Sequence, residues 1–384
     1  MINISNKSDC CGCTACASIC PHNAITMKPD SLGFFYPEVN EDKCIGCNLC
    51  VKVCSFHDNY DKSLNFDTPL IFGARHKNIN EVKTSRSGAA FIAISDIILE
   101  AGGIVYGVGF ENHLYVCHKR ATTKQERDEF KGSKYVQSDL RKTFVQIKQD
   151  LKDGKLVLFS GTPCQTSGLN SLVGKKLRPN LILVDIVCHG VPSPYIWKDY
   201  ISYYETKFKK KIKTFNFRDK IEYGWKAHKE TFILENGQKI RVKYSPFSFL
   251  FGKSLILRQS CGHCHFCNIH RPSDITLADF WGWEKSNLDI NKDDQGLSLL
   301  LINTSKGLAL FNKAQTALTT FNVNLKDCLQ PNLKHPTTLN PNSIKFELDY
   351  QNNGFEYILK KYTLCGYKNR FIYNLRHIIN RIIK

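Results

Sequence analysis

Two stretches of the sequence share one pattern of cysteines. Residues 10–20 are CCGCTACASIC, and residues 44–54 are CIGCNLCVKVC. Four cysteines of the first stretch recur thirty-four positions later in the second, so the chain contains an internal repeat of the form C-x2-C-x2-C-x3-C. Cys11 is outside the pattern, because its counterpart is Ile45. The repeat predicts two equivalent loops that each gather thiolates around a metal centre.

The spacing of these cysteines predicts two 4Fe-4S clusters. In such a run, three thiolates of a tight loop bind one cluster, and the fourth cysteine ligates the other cluster. Zinc is the alternative, but a tetrahedral zinc site uses only four thiolates and would leave half of the eight without a role. We therefore predict one cluster on Cys10, Cys13, Cys16 and Cys54, and a second on Cys44, Cys47, Cys50 and Cys20.

The composition is that of a globular protein with many cysteines. Of 384 residues, 42% are hydrophobic and 23% charged, so a disordered, fibrous or membrane-bundle protein is not expected. The 17 cysteines would suit a secreted disulfide protein, but residues 1–7 have no apolar leader and no later run has the length of a membrane span. We expect a cytoplasmic protein, in which clustered thiols bind metal more often than they form disulfides.

After residue 65, short apolar runs alternate with amphipathic stretches, which predicts an α/β domain. The expected strands cover residues 70–74, 103–108, 155–160 and 181–187, and the clearest helices cover 91–100 and 140–151. Between the two cysteine motifs, residues 24–27 and 32–37 predict a short hairpin. Beyond about residue 205 a less regular α+β region is expected. We divide the chain into residues 1–60, 65–165, 166–340 and 341–384.

A second cysteine group follows in the last part of the chain. Cys261, Cys264 and Cys267 repeat the three-cysteine loop, but no fourth cysteine is nearby. The fourth ligand must be another cysteine of the chain. Cys188 and Cys164 are favoured over the isolated cysteines, because each follows an apolar strand at the carboxyl edge where α/β domains bind ligands. The isolated cysteines have no motif around them and are expected to be core or surface thiols: Cys117, Cys328 and Cys365.

Glycine-rich turns lie at several junctions between the expected strands and helices. They cover residues 85–89, 102–107, 131–138 and 161–165, and together they favour a phosphate-bearing cofactor. None is a Walker loop or a GxGxxG fingerprint. Cys164 follows Pro163 in the first turn of an expected helix, where the helix dipole would lower its pKa and make it a reactive thiol or a ligand.

Several motifs together resemble one family. They are SRSGAA (85–90), KGSKYVQS (131–138), SGTPCQ (160–165), CHGVPSP (188–194), FRDK (217–220), RPSDIT (271–276) and DFWG (279–282). With the cysteine repeat, residues 1–285 resemble the β-subunit family of coenzyme F420 hydrogenase/dehydrogenase. Its members are iron-sulfur flavoproteins that bind FAD and pass electrons between clusters and an organic acceptor.

The resemblance implies an α+β and α/β protein: a dicluster ferredoxin-like domain, an α/β flavin-binding domain and a less regular α+β region. It implies a third 4Fe-4S cluster on Cys188, Cys261, Cys264 and Cys267. Hydrogenase-type members commonly have SGG where this chain has Ser87, Gly88 and Ala89. The implied flavin contacts are Ser85, Ser87, Gly88, Lys131, Ser133, Lys134, Tyr135, Gln137, Thr162 and Cys164.

The expected activity is an electron relay. Ferredoxin or another acidic carrier would supply electrons to the clusters, and FAD would pass them to a small organic redox substrate, or the reverse. His189 and then Asp279 are the candidates for proton transfer, with Cys164 as a reactive thiol. The alternative role of His189 is a hydrogen bond to the cluster sulfurs or to a backbone carbonyl. A pure electron-transfer subunit without a substrate site is the second hypothesis for the whole chain.

The chain has 53 basic and 35 acidic residues, a formal charge of +18. We attribute part of the excess to counter-charge for the cofactors and the rest to docking of an acidic carrier or a membrane. Residues 371–384 form an expected basic amphipathic helix, which would either lie on the cytoplasmic membrane face or pack on its own domain. Nucleic-acid binding is not expected, because the lysine-rich run 207–213 has no accompanying motif.

Overall fold

The cysteine repeat is also a repeat of local structure. The computed structural model describes residues 1–285, 290, 293–367 and 370–371. In the N-terminal unit, residues 1–57, two short helices and a hairpin alternate: α1 (Ala15–Ile19), β1 (Ile25–Pro29), β2 (Phe35–Val39) and α2 (Leu49–Lys52). Strands β1 and β2 pair antiparallel, with Met27 opposite Pro37, so the expected hairpin is confirmed.

The following region is built on one eight-stranded sheet. Its strand order is β13-β3-β12-β11-β7-β6-β4-β5, and β4, β6, β7 and β11 run parallel. In chain order its first elements are β3 (Asn65–His76), α3 (Ile79–Thr84), α4 (Ala90–Glu100), β4 (Ile104–Glu111), β5 (Tyr115–Ala121), α5 (Lys124–Asp128), α6 (Thr143–Lys152), β6 (Val157–Gly161), α7 (Pro163–Leu177) and β7 (Leu181–Ile186). The expected α/β class is confirmed. Strands on both sides of residue 165 belong to this sheet, and the expected domain division there stays a prediction.

An insertion rich in aromatic residues separates β7 from β11. It contains α8 (Pro194–Phe208), β8 (Ile212–Asn216), α9 (Lys220–Tyr223), β9 (Thr231–Leu234), β10 (Lys239–Arg241) and α10 (Pro246–Gly252). The three strands form a separate antiparallel sheet. Trp197 packs at the centre of this insertion against Phe215, Phe217 and Phe247. This region is the less regular α+β part that the sequence predicts.

The last elements complete the sheet and cover it. They are β11 (Ile275–Asp279), β12 (Ser298–Thr304), α11 (Ser305–Ala314), β13 (Leu318–Asn322), α12 (Leu325–Cys328) and α13 (Ser343–Tyr362). Tyr350 of α13 donates to Asp199 of α8 over 2.7 Å. The expected amphipathic helix at 371–384 lies, apart from Phe371, outside the described residues. Within those residues, no helix combines the length and the apolar character that crossing a membrane requires.

Helices cover both faces of the large sheet. Ile94 of α4 and Phe311 of α11 pack on one face, and Phe144 of α6 and Leu169 of α7 pack on the other. Strands β6 and β7 are buried on both faces, which explains why their sequences are continuous apolar runs. Helix α7 begins sharply, because Pro163 occupies its first turn and Thr162 and Gln165 form a capping box.

Candidate iron-sulfur centres and cofactor site

The N-terminal unit contains two cavities that share one design. Three cysteines from one motif line each cavity, and the fourth comes from the other motif. We call them the first cluster site, with Cys10, Cys13, Cys16 and Cys54, and the second cluster site, with Cys44, Cys47, Cys50 and Cys20. This is the crossed arrangement that the spacing predicts.

The backbone of each loop turns at equivalent positions. Gly12 and Gly46 have φ of 72° and 69°, and the residues that precede α1 and α2, Thr14 and Asn48, have φ of 65° and 58°. These left-handed residues close the loop so that the third cysteine of each motif enters a helix. The two halves therefore present their thiols in the same way.

Backbone amides point at several of the sulfur atoms. Ile2 N donates to Cys50 Sγ over 3.2 Å, Ala24 N to Cys20 Sγ over 3.3 Å, and Gly12 N to Cys10 Sγ over 3.4 Å. Such bonds stabilise thiolates and tune bound clusters. Within the described residues, no three His, Cys, Asp or Glu side chains form a group that could hold a single metal ion. The fit to 4Fe-4S clusters rests on the four thiols that share each cavity.

The two cluster sites differ in their surroundings. At the second cluster site Cys47 is exposed and Ile45 is 67% exposed. The first cluster site faces the interior, where helix α7 lies directly on it: a Cβ on Gly168 would be 2.7 Å from Cys13 Sγ. The second site is therefore open to a partner, and the first faces the large sheet.

The third cysteine group is Cys188, Cys261, Cys264 and Cys267, and the structure brings its members together. Burial raises the pKa of Cys261 to about 12, and negative charge on Cys164 and Cys267 adds to the shift. Burial also raises the pKa of Cys188, and negative charge on Cys261 contributes. Val191 N donates to Cys261 Sγ over 3.4 Å. The four thiols of this group therefore lie together at the carboxyl edge beside β7.

Cys164 lies between this group and the first cluster site. Its thiol is hydrogen-bonded to Cys11, which lowers the pKa of Cys164 to about 7 against the opposing effect of burial. Thr162 Oγ1 is 3.2 Å from its Sγ. Cys164 also affects the pKa of Cys188 and of Cys261, so all three are neighbours. Of the isolated cysteines, Cys117 and Cys328 are buried and Cys365 is exposed.

Some of the expected flavin contacts have structural partners in the protein. Ser87 Oγ donates to Leu297 O over 2.7 Å, and a Cβ on Gly88 would be 2.2 Å from Ala74 O. Gln137 donates to Cys11 O over 3.1 Å. Lys131 pairs with Glu81 and Asp128, Lys134 donates to Glu129 O and Lys131 O, and Thr162 caps α7. The expected contacts of these residues with FAD stay predictions. The same holds for Ser85, Ser133 and Tyr135.

Two arginines that the motif analysis passed over lie beside these residues. Arg86 is paired with Asp279 over 3.2 Å, yet its Nε and Nη1 have no hydrogen-bond partner among the described residues. Arg218 contacts Tyr135 Oη over 3.3 Å and His228 Nε2 over 2.9 Å, and its Nε is likewise without a partner there. Unsatisfied buried guanidinium groups fit an anionic group such as a phosphate. The signal in the sequence is an arginine within two of the family motifs: Arg86 lies in SRSGAA and Arg218 in FRDK.

The two candidates for proton transfer are both held by neighbours. Partial burial lowers the pKa of His189, whose Nδ1 is 3.3 Å from Thr337 Oγ1. The His189 ring packs edge-on against Phe251, with centroids 5.4 Å apart. Asp279 accepts a hydrogen bond from Trp225 Nε1 over 3.3 Å in addition to its pair with Arg86. A group that is neutral near pH 7, such as His189, can accept a proton.

Two family models match parts of the chain. Residues 9–57 match the model of the 4Fe-4S dicluster domain, and residues 154–325 match the model of the C terminus of the coenzyme F420 hydrogenase/dehydrogenase β-subunit. A chain in a xenon-derivative structure of the F420-reducing [NiFe] hydrogenase complex from Methanosarcina barkeri is similar at 14% identity, covering 78% of this chain and 92% of that one with a TM-score of 0.47. No curated protein matches the chain.

The cavities and the family matches define an iron-sulfur electron-transfer protein. Residues 9–57 match a 4Fe-4S dicluster domain and residues 154–325 match the C terminus of the coenzyme F420 hydrogenase/dehydrogenase β-subunit, which confirms the resemblance found in the sequence.

Proposed function

We propose that this protein is an iron-sulfur flavoprotein oxidoreductase with three 4Fe-4S clusters and one FAD. It exchanges electrons between a ferredoxin-like carrier and a small organic redox substrate. The observation that carries the proposal is the position of the third cysteine group, beside Cys164 and behind the first cluster site. Bound clusters would carry single electrons, and a bound flavin would exchange them for the two-electron chemistry of an organic molecule.

The residues of the chain give the proposed route its order. The second cluster site is the one that a carrier can reach, because Cys47 is exposed. The first cluster site is next to α7, and Cys11 and Cys164 lie between it and the third cysteine group. At the carboxyl edge of the sheet, Arg86 and Arg218 would bind the phosphates of the flavin.

The charge distribution bears on the proposed carrier. Residues 1–57 contain four lysines and five acidic residues, so the basic excess of the chain lies entirely beyond them. Contact at the second cluster site would depend on the apolar side chains of Ile45, Leu49 and Val51, which are all exposed. Lysines farther along the chain would attract an acidic carrier only from a distance.

Anaerobic purification followed by iron, sulfide and flavin analysis tests the proposal. We expect about twelve irons and one flavin per chain. About eight irons would exclude the third cluster, and bound zinc would exclude clusters as the occupants of these sites. Purified protein with three clusters and no flavin would overturn the flavoprotein proposal and favour a subunit that only transfers electrons.

The fourth ligand of the third cluster is tested by comparing two cysteines. We expect Cys188→Ala to lose about four irons, because Cys188 is buried beside Cys261 and Cys267. Cys164→Ala should keep its iron, because the Cys164 thiol is hydrogen-bonded to Cys11 and Thr162. Iron analysis of the two variants checks this. Loss of iron from Cys164→Ala and not from Cys188→Ala would reverse the assignment.

Binding of the flavin phosphates is tested at Arg218. We expect Arg218→Gln to weaken FAD binding by about tenfold, in keeping with the loss of one charge-assisted hydrogen bond of about 1.5–3 kcal/mol. Arg241→Gln is the matched control, because Arg241 is exposed and pairs with Glu222 at the surface. The dissociation constant of FAD from the flavin-depleted protein provides the measurement. Equal FAD affinity in both variants would exclude Arg218 from the flavin site.

A further inference from the structure

Arg258 is a fully buried arginine without an acidic partner. The residue is 0% exposed, and no carboxylate among the described residues accepts a hydrogen bond from its side chain. Its three hydrogen bonds go to neutral oxygens: Nε donates to Cys10 O over 2.8 Å, Nη1 to Gln137 Oε1 over 3.0 Å and Nη2 to Phe35 O over 2.9 Å. The guanidinium is therefore hydrogen-bonded, but no negatively charged side chain of the described residues is among its partners.

Burying an unpaired charge is costly, so a negative group is expected close to it. The nearest candidates are thiols of the first cluster site. Cys10 is one of them, because its carbonyl oxygen accepts a hydrogen bond from Arg258 Nε over 2.8 Å. A 4Fe-4S cluster with four thiolates is anionic and would be the missing counter-charge.

The structure around Arg258 fixes its position. The guanidinium lies over the ring of Tyr36, 4.1 Å from the centroid. A Cβ on Gly12 would be 2.9 Å from Nη1, so the loop can approach only because residue 12 is glycine. The backbone of Arg258 is held by Val191 O and by Cys261 N, each over 3.0 Å. The charge thus has one fixed place, between the first cluster site and the third cysteine group.

The second cluster site has no equivalent. Lys43 is the one lysine or arginine side chain among the described residues that line it, and Lys43 is exposed. An exposed charge is screened by water and salt, whereas a buried charge is not. The two sites have the same cysteine pattern but different electrostatic surroundings.

We propose that Arg258 is a positioning residue that raises the reduction potential of the cluster in the first site above that of the second. The proposal rests on the proposed function, because it requires clusters in both sites. Reduction makes a cluster more negative by one charge, and a fixed buried cation stabilises that charge. Electrons that arrive at the exposed site are then drawn toward the interior.

Redox titration followed by electron paramagnetic resonance of the anaerobically purified protein tests this. In Arg258→Gln we expect the midpoint potential of the first cluster to fall. At the potential where half of the wild-type cluster is reduced, only about one tenth of the variant cluster should be reduced. That is about a tenfold change in the equilibrium constant, or ~59 mV for one electron. The midpoint of the second cluster should not move.

Three further variants separate charge from structure. Gln137→Glu places a carboxylate against Nη1 and should lower the same midpoint even if Arg258→Gln does not fold. Arg258→Lys keeps the positive charge, so the midpoint of its first cluster should stay closer to the wild-type value than that of Arg258→Gln. Arg127→Gln is the control. Arg127 is also buried, at 2% exposed, but it pairs with Asp96, and neither residue lines a cluster site.

The outcomes are distinct. An unchanged midpoint in both Arg258→Gln and Gln137→Glu, with full iron content, would overturn the proposal, and so would Arg258→Lys behaving like Arg258→Gln. Absence of any signal from reduced 4Fe-4S clusters in the wild-type protein would instead overturn the proposed function on which the inference rests.

Discussion

Replacement of Cys54 by alanine is expected to remove the cluster held by the other motif. Cys54 lines the first cluster site with Cys10, Cys13 and Cys16, although it lies thirty-eight or more positions after them in the sequence. The variant should lose about four irons per chain and keep the second cluster. Iron and sulfide analysis of the anaerobically purified variant measures this.

Double variants show which cluster has been lost. Cys54→Ala combined with Cys13→Ala should lose no more iron than Cys54→Ala alone, because both residues belong to the first cluster site. The double variant of Cys54→Ala and Cys47→Ala should lose about eight irons, because Cys47 belongs to the second cluster site. The reverse pattern would show that each motif binds its own cluster. Cys11→Ala is the matched control and should keep all its iron.

A second large effect is expected at Gly88. The resemblance implies a flavin contact here, but the structure shows close packing: an added Cβ would be 2.2 Å from Ala74 O and 2.7 Å from Ser298 N. Both are backbone atoms of sheet strands and cannot move aside easily. We expect Gly88→Ala to lower the free energy of unfolding by about 3 kcal/mol, as overpacking of a core does.

Denaturant unfolding of the flavin-free protein distinguishes the two roles of Gly88. The control is Gly252→Ala, because nothing lies within 4 Å of a Cβ at Gly252, which ends α10. The control should be unchanged or more stable by up to about 1 kcal/mol. If flavin-free Gly88→Ala were as stable as the wild type, the packing role would be wrong and the flavin contact would be favoured.

The local features of this fold could be predicted from the sequence. The cysteine repeat, the hairpin between its halves and strands such as β6 and β7 depend on spacing and on short apolar runs. The crossed lining of the two cavities followed from the same repeat, because a short chain leaves few ways to place eight thiols.

Features that depend on distant contacts could not be predicted. The pairing of β6 with β7 across residue 165 is one, because strand pairing is not visible in either segment alone. The hydrogen bonds of Gln137 with Cys11 O and Arg258 are another. Arg258 itself could not be recognised, because its role depends on a loop some 250 positions earlier in the chain.

The N-terminal unit shares the cores of the rest of the protein. Its Ala15 and Val53 pack with Phe144 and Leu169, and Phe34 of its hairpin joins the aromatic cluster around Trp197. Many redox proteins carry such a unit on a flexible tether, so that electron exchange waits for the unit to swing into place. Here the distance between the first cluster site and the large sheet is fixed, because the side chains of the two parts pack in shared cores. Electron transfer across that gap should therefore be insensitive to solvent viscosity, and only the encounter with the external carrier should slow in a viscous medium.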